Sequence, residues 1–173
     1  MNYNLKKLVT QMYELGDKID EGIFGIDPNA SITLKDCVRT ELLSYLMYLS
    51  AADGTISWQE ARFMRDYLDY NLTIEEINQL IVKNQIYSTQ FEEKVPASIQ
   101  IFVKADNAIY ESGYELGIFN NVSVSGLLFS VFQELGKEFV VCDGNVSDDE
   151  IHDLTKYLNM LKNYINSEVK GKR

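Results

Sequence analysis

The chain has 173 residues, 46% of them hydrophobic, which is enough to bury a core as one domain or as one domain built from two halves. Its formal net charge of −10 argues against a nucleic-acid partner, because the phosphate backbone would repel this surface. No stretch resembles a signal peptide or reaches the roughly 18 apolar residues of a membrane span, and Cys37 and Cys142 lack the paired spacing of a zinc site. These observations predict a reduced, cytoplasmic protein without a transmembrane segment, and they leave peripheral membrane association open.

Apolar residues recur at intervals of three and four along most of the chain, a spacing typical of amphipathic helices. The first such stretch is 4–20, and the Gly and Pro residues of 22–32 then interrupt the pattern. Several later stretches follow a capping box, in which a Ser or Thr and a Glu three residues later satisfy the first amides of a helix. Three such pairs occur: Ser57 with Glu60, Thr73 with Glu76, and Ser147 with Glu150.

Other helices are predicted from apolar stripes alone. One stripe begins at Val38, one follows Pro96, which suits a first helical turn, and one runs from Leu127 to Phe139. The last helix is predicted over 148–167. We find no alternating strand pattern and no Asn-Gly hairpin. The sequence therefore predicts an all-α protein, a single helical bundle of about seven or eight helices.

One phrase occurs twice in the chain, as AADGTISWQE at 51–60 and as VCDGNVSDDE at 141–150. Both copies read Asp-Gly, any residue, Ile or Val, Ser, two residues and Glu, and the second copy follows at an offset of 90 residues without a gap. Apolar residues of the preceding helices align at the same offset. We interpret this pattern as an internal duplication of a helix–turn–helix unit, at about 34–71 and 124–161.

The repeated phrase matches the second half of an EF-hand calcium loop but not the first half. Loop positions 1 and 3 would be Leu49 and Ala51 in one copy, and Phe139 and Val141 in the other. These apolar side chains cannot bind Ca²⁺, which takes six or more oxygen ligands. The sequence therefore argues against a calcium site within either turn alone.

A structural interpretation accounts for the same phrase. Gly54 and Gly144 would end a helix in the left-handed conformation, the Asp before each would bond to the nearby backbone, and the Ser and Glu would cap the next helix. A metal site that combines acids of both copies stays open beside it, with Mg²⁺, Mn²⁺ or Ca²⁺ as the ion. Its candidate ligands are Asp53, Glu60, Asp143, Glu150 and Asp106. Asp106 lies on the apolar face of its helix, so it needs either a hydrogen-bond partner, such as a Tyr or a helix terminus, or a place in that metal site.

The longer stretches LSAADGTISWQEARFMRDYL and VVCDGNVSDDEIHDLTKYL resemble the repeated signature of the TerB-like family, which is named for tellurite resistance and includes domains of DjlA-type co-chaperones. The resemblance covers roughly 34–165, within a predicted helical domain at 34–168 that follows an N-terminal helix and loop at 1–33. It implies an all-helical domain with an internal repeat and an acidic surface that holds divalent metal. It also implies a role in stress response or as a scaffold. By this resemblance Asp53, Glu60, Asp143 and Glu150 would be the family's acidic residues.

The sequence thus predicts a non-enzymatic intracellular binding or scaffold module with a protein partner, associated with stress response and assisted by a divalent metal. Two alternatives stay open: a metal-dependent hydrolase that uses clustered carboxylates, and a helical adaptor that binds a partner helix through exposed Tyr and Met. The single histidine, His152, argues against the hydrolase, because no second His or nearby Cys completes a zinc site or a nucleophile–base pair.

Overall fold

The computed structural model describes residues 2–23, 32–52, 56–83, 94–112 and 123–170. Within these ranges the chain forms α-helices and no strand, so the all-α prediction is confirmed. The helices are α1 (Tyr3–Lys18), α2 (Leu34–Ser50), α3 (Trp58–Leu68), α4 (Ile74–Lys83), α5 (Ala97–Ser112), α6 (Val124–Phe139) and α7 (Asp148–Glu168). A π-helical turn, Ile19–Ile23, continues α1. None of the helices in the described ranges is both long and apolar enough to cross a membrane.

Short polar side chains set the starts of most helices. The residues before α2, α3, α6 and α7 each accept a hydrogen bond from the amide three residues on; they are Thr33, Ser57, Ser123 and Ser147. At the start of α4, the Thr73 amide donates to the Glu76 carboxylate at 2.8 Å and the Glu76 amide donates to the Thr73 hydroxyl at 3.2 Å. The capping boxes predicted from the sequence are therefore present, and local chemistry sets where these helices begin.

The helix starts repeat at the offset of the duplicated phrase. Helices α2 and α6 begin at residues 34 and 124, and helices α3 and α7 begin at residues 58 and 148. Both pairs are separated by the same 90 residues that separate the two phrases. The duplication itself stays a prediction, because residues 53–55 of the first turn lie outside the described ranges.

The centre of the core is aromatic and lies between α2, α5, α6 and α7. Its largest fully buried side chains are Tyr45, Phe102, Phe132, Phe139 and Tyr157. The Tyr45 ring stacks on the Tyr157 ring with centroids 4.9 Å apart, and it meets Phe132 edge-on at 5.2 Å. Such pairs add roughly 0.5–1.5 kcal/mol each beyond the area they bury, so this cluster ties three helices together.

The N-terminal helix shares that core. The side chains of Leu5, Val9 and Met12 are at most 4% exposed, and α1 packs against α2, α3 and α6. At Gly16 the α1 backbone approaches α2 so closely that an added Cβ would lie 3.0 Å from the amide nitrogen of Lys35. The described part of the predicted segment 1–33 is therefore packed onto the predicted domain 34–168.

Candidate functional site

The carboxylate of Glu60 is buried and hydrogen-bonded both to its own helix start and to the helix before it. It is 4% exposed, and it accepts from the Ser57 amide at 2.7 Å, while the Glu60 amide donates to the Ser57 hydroxyl at 3.1 Å. Its second oxygen accepts from the hydroxyl of Ser50, at the end of α2, at 3.1 Å. Glu60 therefore caps α3 and also fastens α3 to the helix before it.

Glu150 repeats this arrangement at the start of α7. It is likewise 4% exposed, and both the amide and the hydroxyl of Ser147 donate to it at 2.9 Å. The residue that corresponds to Ser50 at the offset of 90 is Val140, which has no side-chain donor. The two buried glutamates thus share a capping role but differ in the second oxygen's surroundings.

The second Asp-Gly turn has the left-handed glycine that the sequence predicts, but this glycine does not end the helix as predicted, since α6 ends at Phe139 and Val140 is its C-cap. The Asn145 amide donates to Asp143 Oδ1 at 2.8 Å, and Gly144 has a φ of +79°, the left-handed region that favours glycine. The corresponding residues of the first turn, Asp53 and Gly54, lie outside the described residues. The predicted equivalence of the two turns is therefore untested at its centre.

The glutamates of the two capping boxes both affect the pKa of Cys142. Burial above all, and then the negative charges of Glu60, Asp143 and Glu150, raise the pKa of the Cys142 thiol from its ordinary 9.0 to about 12. The carboxylates at the starts of α3 and α7 therefore both act on this one thiol.

Asp106 caps the start of α6. Its carboxylate accepts from the amides of Val124 and Ser125 at 2.7 and 3.0 Å, and also from the Ser125 hydroxyl. Of the alternatives weighed for this residue, the structure shows the hydrogen bonds to a helix terminus. Asp106 meets the start of α6, whereas Glu150 follows its end, and a 16-residue helix spans about 24 Å. The structure therefore does not bring Asp106 together with Glu150.

The described acids do not form a metal centre. Among the described residues there is no group of three or more His, Cys, Asp or Glu side chains that could hold a metal ion. Glu60, Glu150 and Asp106 each accept from backbone amides instead. Since Asp53 lies outside the described ranges, a site that adds Asp53 to Asp143 stays a prediction.

Two further carboxylates cap helices in a way that the sequence analysis missed. Glu41 of α2 accepts from the amides of Ala97 and Ser98, at the start of α5, at 2.7 and 3.1 Å. Asp20 accepts from the amide of Leu34, at the start of α2, at 2.6 Å. The sequence indicates only that α5 needs a cap from elsewhere in the chain, because a proline precedes it and no Ser, Thr, Asp or Asn lies immediately before it. It does not indicate that Glu41 provides that cap.

The cysteines and the histidine are poor candidates for catalysis. Burial, and then the neighbouring Glu41, raise the pKa of the Cys37 thiol to about 12, as burial does for Cys142. A thiol becomes a nucleophile only as a thiolate, so both are inert near neutral pH. His152 lies on the exposed side of α7. These features support no nucleophile–base pair in the described part of the chain.

A surface groove lies between α3 and the start of α4. Its volume is about 450 Å³, and its apolar wall contains Trp58, Leu72 and Ile74. Trp58 is 58% exposed and Ile74 is 38% exposed, both high for large apolar side chains. We call this feature the α3–α4 groove. Its exposed aromatic wall makes it a candidate binding site.

Charged side chains form the rim of the α3–α4 groove. Arg62 Nε lies 3.3 Å from Asp66 Oδ2, and Arg65 Nε lies 3.4 Å from Asp66 Oδ1, so two guanidinium groups share one carboxylate. Trp58, Arg62 and Arg65 follow each other at steps of four and three residues, which places them on one face of α3. This site was not predicted from the sequence, because the spacing of Trp58, Arg62 and Arg65 indicates a shared helix face but not whether that face is exposed.

The fold and these contacts define an all-α protein whose buried acids cap helices and whose exposed groove is aromatic and cationic. No protein-family model matches the chain, and neither a curated protein nor a solved structure does.

Proposed function

We propose that this protein is a non-enzymatic binding module that docks a protein partner in the α3–α4 groove. The observation that carries the proposal is the exposure of Trp58 beside Arg62 and Arg65. Tryptophan and arginine are enriched among the residues that dominate binding energy at protein interfaces. Covering an exposed large apolar side chain such as Trp58 is favourable, because apolar surface removed from water contributes roughly 25 cal/mol per Å².

The use of the acids and thiols supports a binding role over catalysis. A hydrolase of the clustered-carboxylate kind needs acids that are free to hold a metal or a water molecule. Here Glu60, Glu150 and Asp106 are committed to the backbone amides of helix starts. No second observation favours the hydrolase alternative.

The TerB-like affiliation and the link to stress response remain part of this proposal. They rest on the two repeated phrases, and the all-α fold and the matching helix starts are consistent with them. Assistance by a divalent metal rests on the same resemblance, and Asp53 and Asp143 are the acids left to provide it. Docking in the groove does not depend on any of these points.

The test compares quantitative affinity capture from the native cell by the wild type, Trp58→Ala and Tyr110→Ala. Tyr110 is the matched control, since it is 60% exposed against 58% for Trp58 and lies on α5. We expect a partner that the wild type and Tyr110→Ala retain equally and that Trp58→Ala loses. Equal retention by Trp58→Ala, or no specific retention by the wild type, would overturn the proposal. Helical circular dichroism of each variant controls for folding.

A further inference from the structure

We propose that the segment entering the α3–α4 groove is acidic and carries an apolar anchor side chain, an inference that rests on the docking function proposed above. The groove has two chemically distinct parts. Its wall is apolar, with Trp58, Leu72 and Ile74, and its rim is cationic, with Arg62 and Arg65. A single partner segment that satisfies both parts needs carboxylates placed around an apolar side chain.

The rim arginines differ from an arginine with a structural role. Arg39 donates to the backbone carbonyls of Leu68 and Asp69 at 3.2 and 2.6 Å, and its guanidinium lies 4.4 Å from the centre of the Tyr70 ring. By contrast, Arg62 and Arg65 are 61% and 51% exposed in their side chains and share the single carboxylate of Asp66. A guanidinium carries five N–H donors in a planar fork that matches a carboxylate, so Arg62 and Arg65 can donate to further carboxylates.

The charge of the groove opposes the charge of the protein. Its charged lining consists of two arginines and one aspartate, on a chain with a net charge of −10. The electrostatic field of the whole molecule, which is negative, attracts basic segments. The local rim favours acidic ones over short distances. The sign of the ligand's charge therefore distinguishes specific docking in the groove from nonspecific attraction to the acidic surface.

The size of the groove limits the apolar part of the ligand. A volume of about 450 Å³ lies in the lower half of the range for ligand pockets, roughly 300–1,000 Å³. It accommodates one or two apolar side chains rather than the packed face of a domain. The expected ligand is a short acidic segment whose Leu or Phe contacts Trp58.

The chain's one tryptophan makes the test direct, because its emission reports on the groove alone. The probes are synthetic peptides without Trp or Tyr: EELFEE, its uncharged form QQLFQQ, its basic form KKLFKK, and EEGSEE, which lacks the apolar pair. Vesicles containing phosphatidylserine provide a second anionic surface. We expect a saturable shift of Trp58 emission with EELFEE and an affinity about fivefold tighter than with QQLFQQ, a difference that shrinks at high salt.

Variants locate the effect on the rim. Arg62→Glu/Arg65→Glu should reverse the preference, so that KKLFKK binds more tightly than EELFEE. Lys104→Glu/Lys162→Glu makes the same change in net charge at exposed positions of α5 and α7, and it should leave the preference for EELFEE in place. A reversal in this control variant as well would assign the effect to the electrostatic field of the whole molecule and overturn the inference.

Each remaining outcome bears on one proposal. Equal binding of QQLFQQ and EELFEE, or tighter binding of KKLFKK by the wild type, overturns the acidic partner and leaves apolar docking intact. Equal binding of EEGSEE and EELFEE removes the apolar anchor. A Trp58 response to the vesicles but not to the peptides would assign the groove to anionic lipid instead. No response to any probe overturns the inference, while the capture experiment with Trp58→Ala tests docking separately.

Discussion

The hydroxyl of Tyr45 occupies the space that a side chain at Gly136 would need. Tyr45 lies on α2 and Gly136 on α6, and a Cβ built on Gly136 would overlap the Tyr45 Oη. The same Cβ would also lie 2.5 Å from Leu154 Cδ1 of α7. The missing side chain at position 136 therefore lets three helices meet, and Tyr45 is the side chain that fills the gap.

Gly136→Ala should destabilise the protein by about 2–3 kcal/mol, because alanine would force the packed Tyr45 and Leu154 side chains apart. The direction of the change in stability is informative, since Gly to Ala in a helix interior otherwise stabilises a protein by roughly 0.5–1 kcal/mol. The measurement is urea unfolding followed by circular dichroism. Adding Tyr45→Phe should relieve part of the loss, because Leu154 still obstructs the Cβ. An unchanged or increased stability of Gly136→Ala would contradict this packing.

Tyr45→Phe alone should be neutral or should stabilise by up to about 1 kcal/mol. The Tyr45 hydroxyl is buried and has no hydrogen-bond partner among the described residues, so its removal relieves an unsatisfied polar group. The matched control is Tyr67→Phe, at another buried tyrosine whose hydroxyl accepts from the Asn2 amide at 2.5 Å. That variant should lose about 1 kcal/mol. Equal losses in the two variants would show that the Tyr45 hydroxyl has a stabilising role.

Removing a carboxylate that caps a distant helix should cost more than removing an exposed one. Asp106→Ala and Glu41→Ala each leave two amides at a helix start without their acceptor, and we expect losses of about 2 kcal/mol. The control is Glu134→Ala, in which the lost carboxylate is 50% exposed and pairs with Lys137 at 3.1 Å. It should lose at most about 0.5 kcal/mol. Thermal melts of the three variants measure these losses. A loss for Asp106→Ala and Glu41→Ala no larger than that for Glu134→Ala would contradict the capping role.

Both thiols should resist modification in the folded protein. A pKa raised from 9.0 to about 12 leaves far fewer thiolates at pH 8 than in the unfolded chain. Reaction with Ellman's reagent should therefore be slow natively and fast in guanidinium, with Cys37→Ala separating the two sites. Comparable rates in both states would contradict the burial of the thiols.

The same pKa shifts predict the direction of alkaline instability. Because folding raises each thiol's pKa, the unfolded chain ionises first as pH increases. The preference of the folded state for protonated thiols therefore stabilises the protein fully below pH 9.0, and this stabilisation is lost as pH rises through about 12. Chemical denaturation across that window should show a steeper decline for the wild type than for Cys37→Ala.

Divalent cations should raise the melting temperature only if Asp53 and Asp143 form a binding site. The described acids Glu60, Glu150 and Asp106 already accept from backbone amides, so only a site built on Asp53 and Asp143 could respond. The measurement is thermal melting with Mg²⁺, Mn²⁺ or Ca²⁺, for the wild type and for Asp53→Asn/Asp143→Asn. A saturable rise that the double variant abolishes would support the metal site, since a ligand that binds the folded state alone raises stability. No rise with any of the three ions, in either protein, would contradict it.

Much of the fold was predictable because its signals are local. The Ser57–Glu60 and Ser147–Glu150 boxes place each acceptor three residues from its donor, so the sequence alone indicates where α3 and α7 begin. The 3.6-residue period of apolar side chains likewise indicates which residues are buried, as Leu49 and Phe139 are at 0% and 1% exposure. The conformation of Gly144 followed from the same short-range chemistry.

The site was less predictable, because the sequence does not show which acids meet which helix ends. The same carboxylates that resembled metal ligands have become acceptors for amides, and Glu41 caps a helix start 56 residues away. The exposure of Trp58 was unpredictable for a related reason. An aromatic residue at a helix start has no local signal that separates burial from exposure.

The sequence by itself therefore determined the helices, their starts and the alternation of buried and exposed faces, because those depend on contacts within a few residues. The tertiary structure alone decided that Asp106 receives the amides of α6, that Tyr45 fits against Gly136, and that Trp58 remains exposed between α3 and α4. These outcomes depend on which helices pack side by side. That choice minimises the free energy of the whole core rather than of any one segment, so residues distant in sequence specify it together.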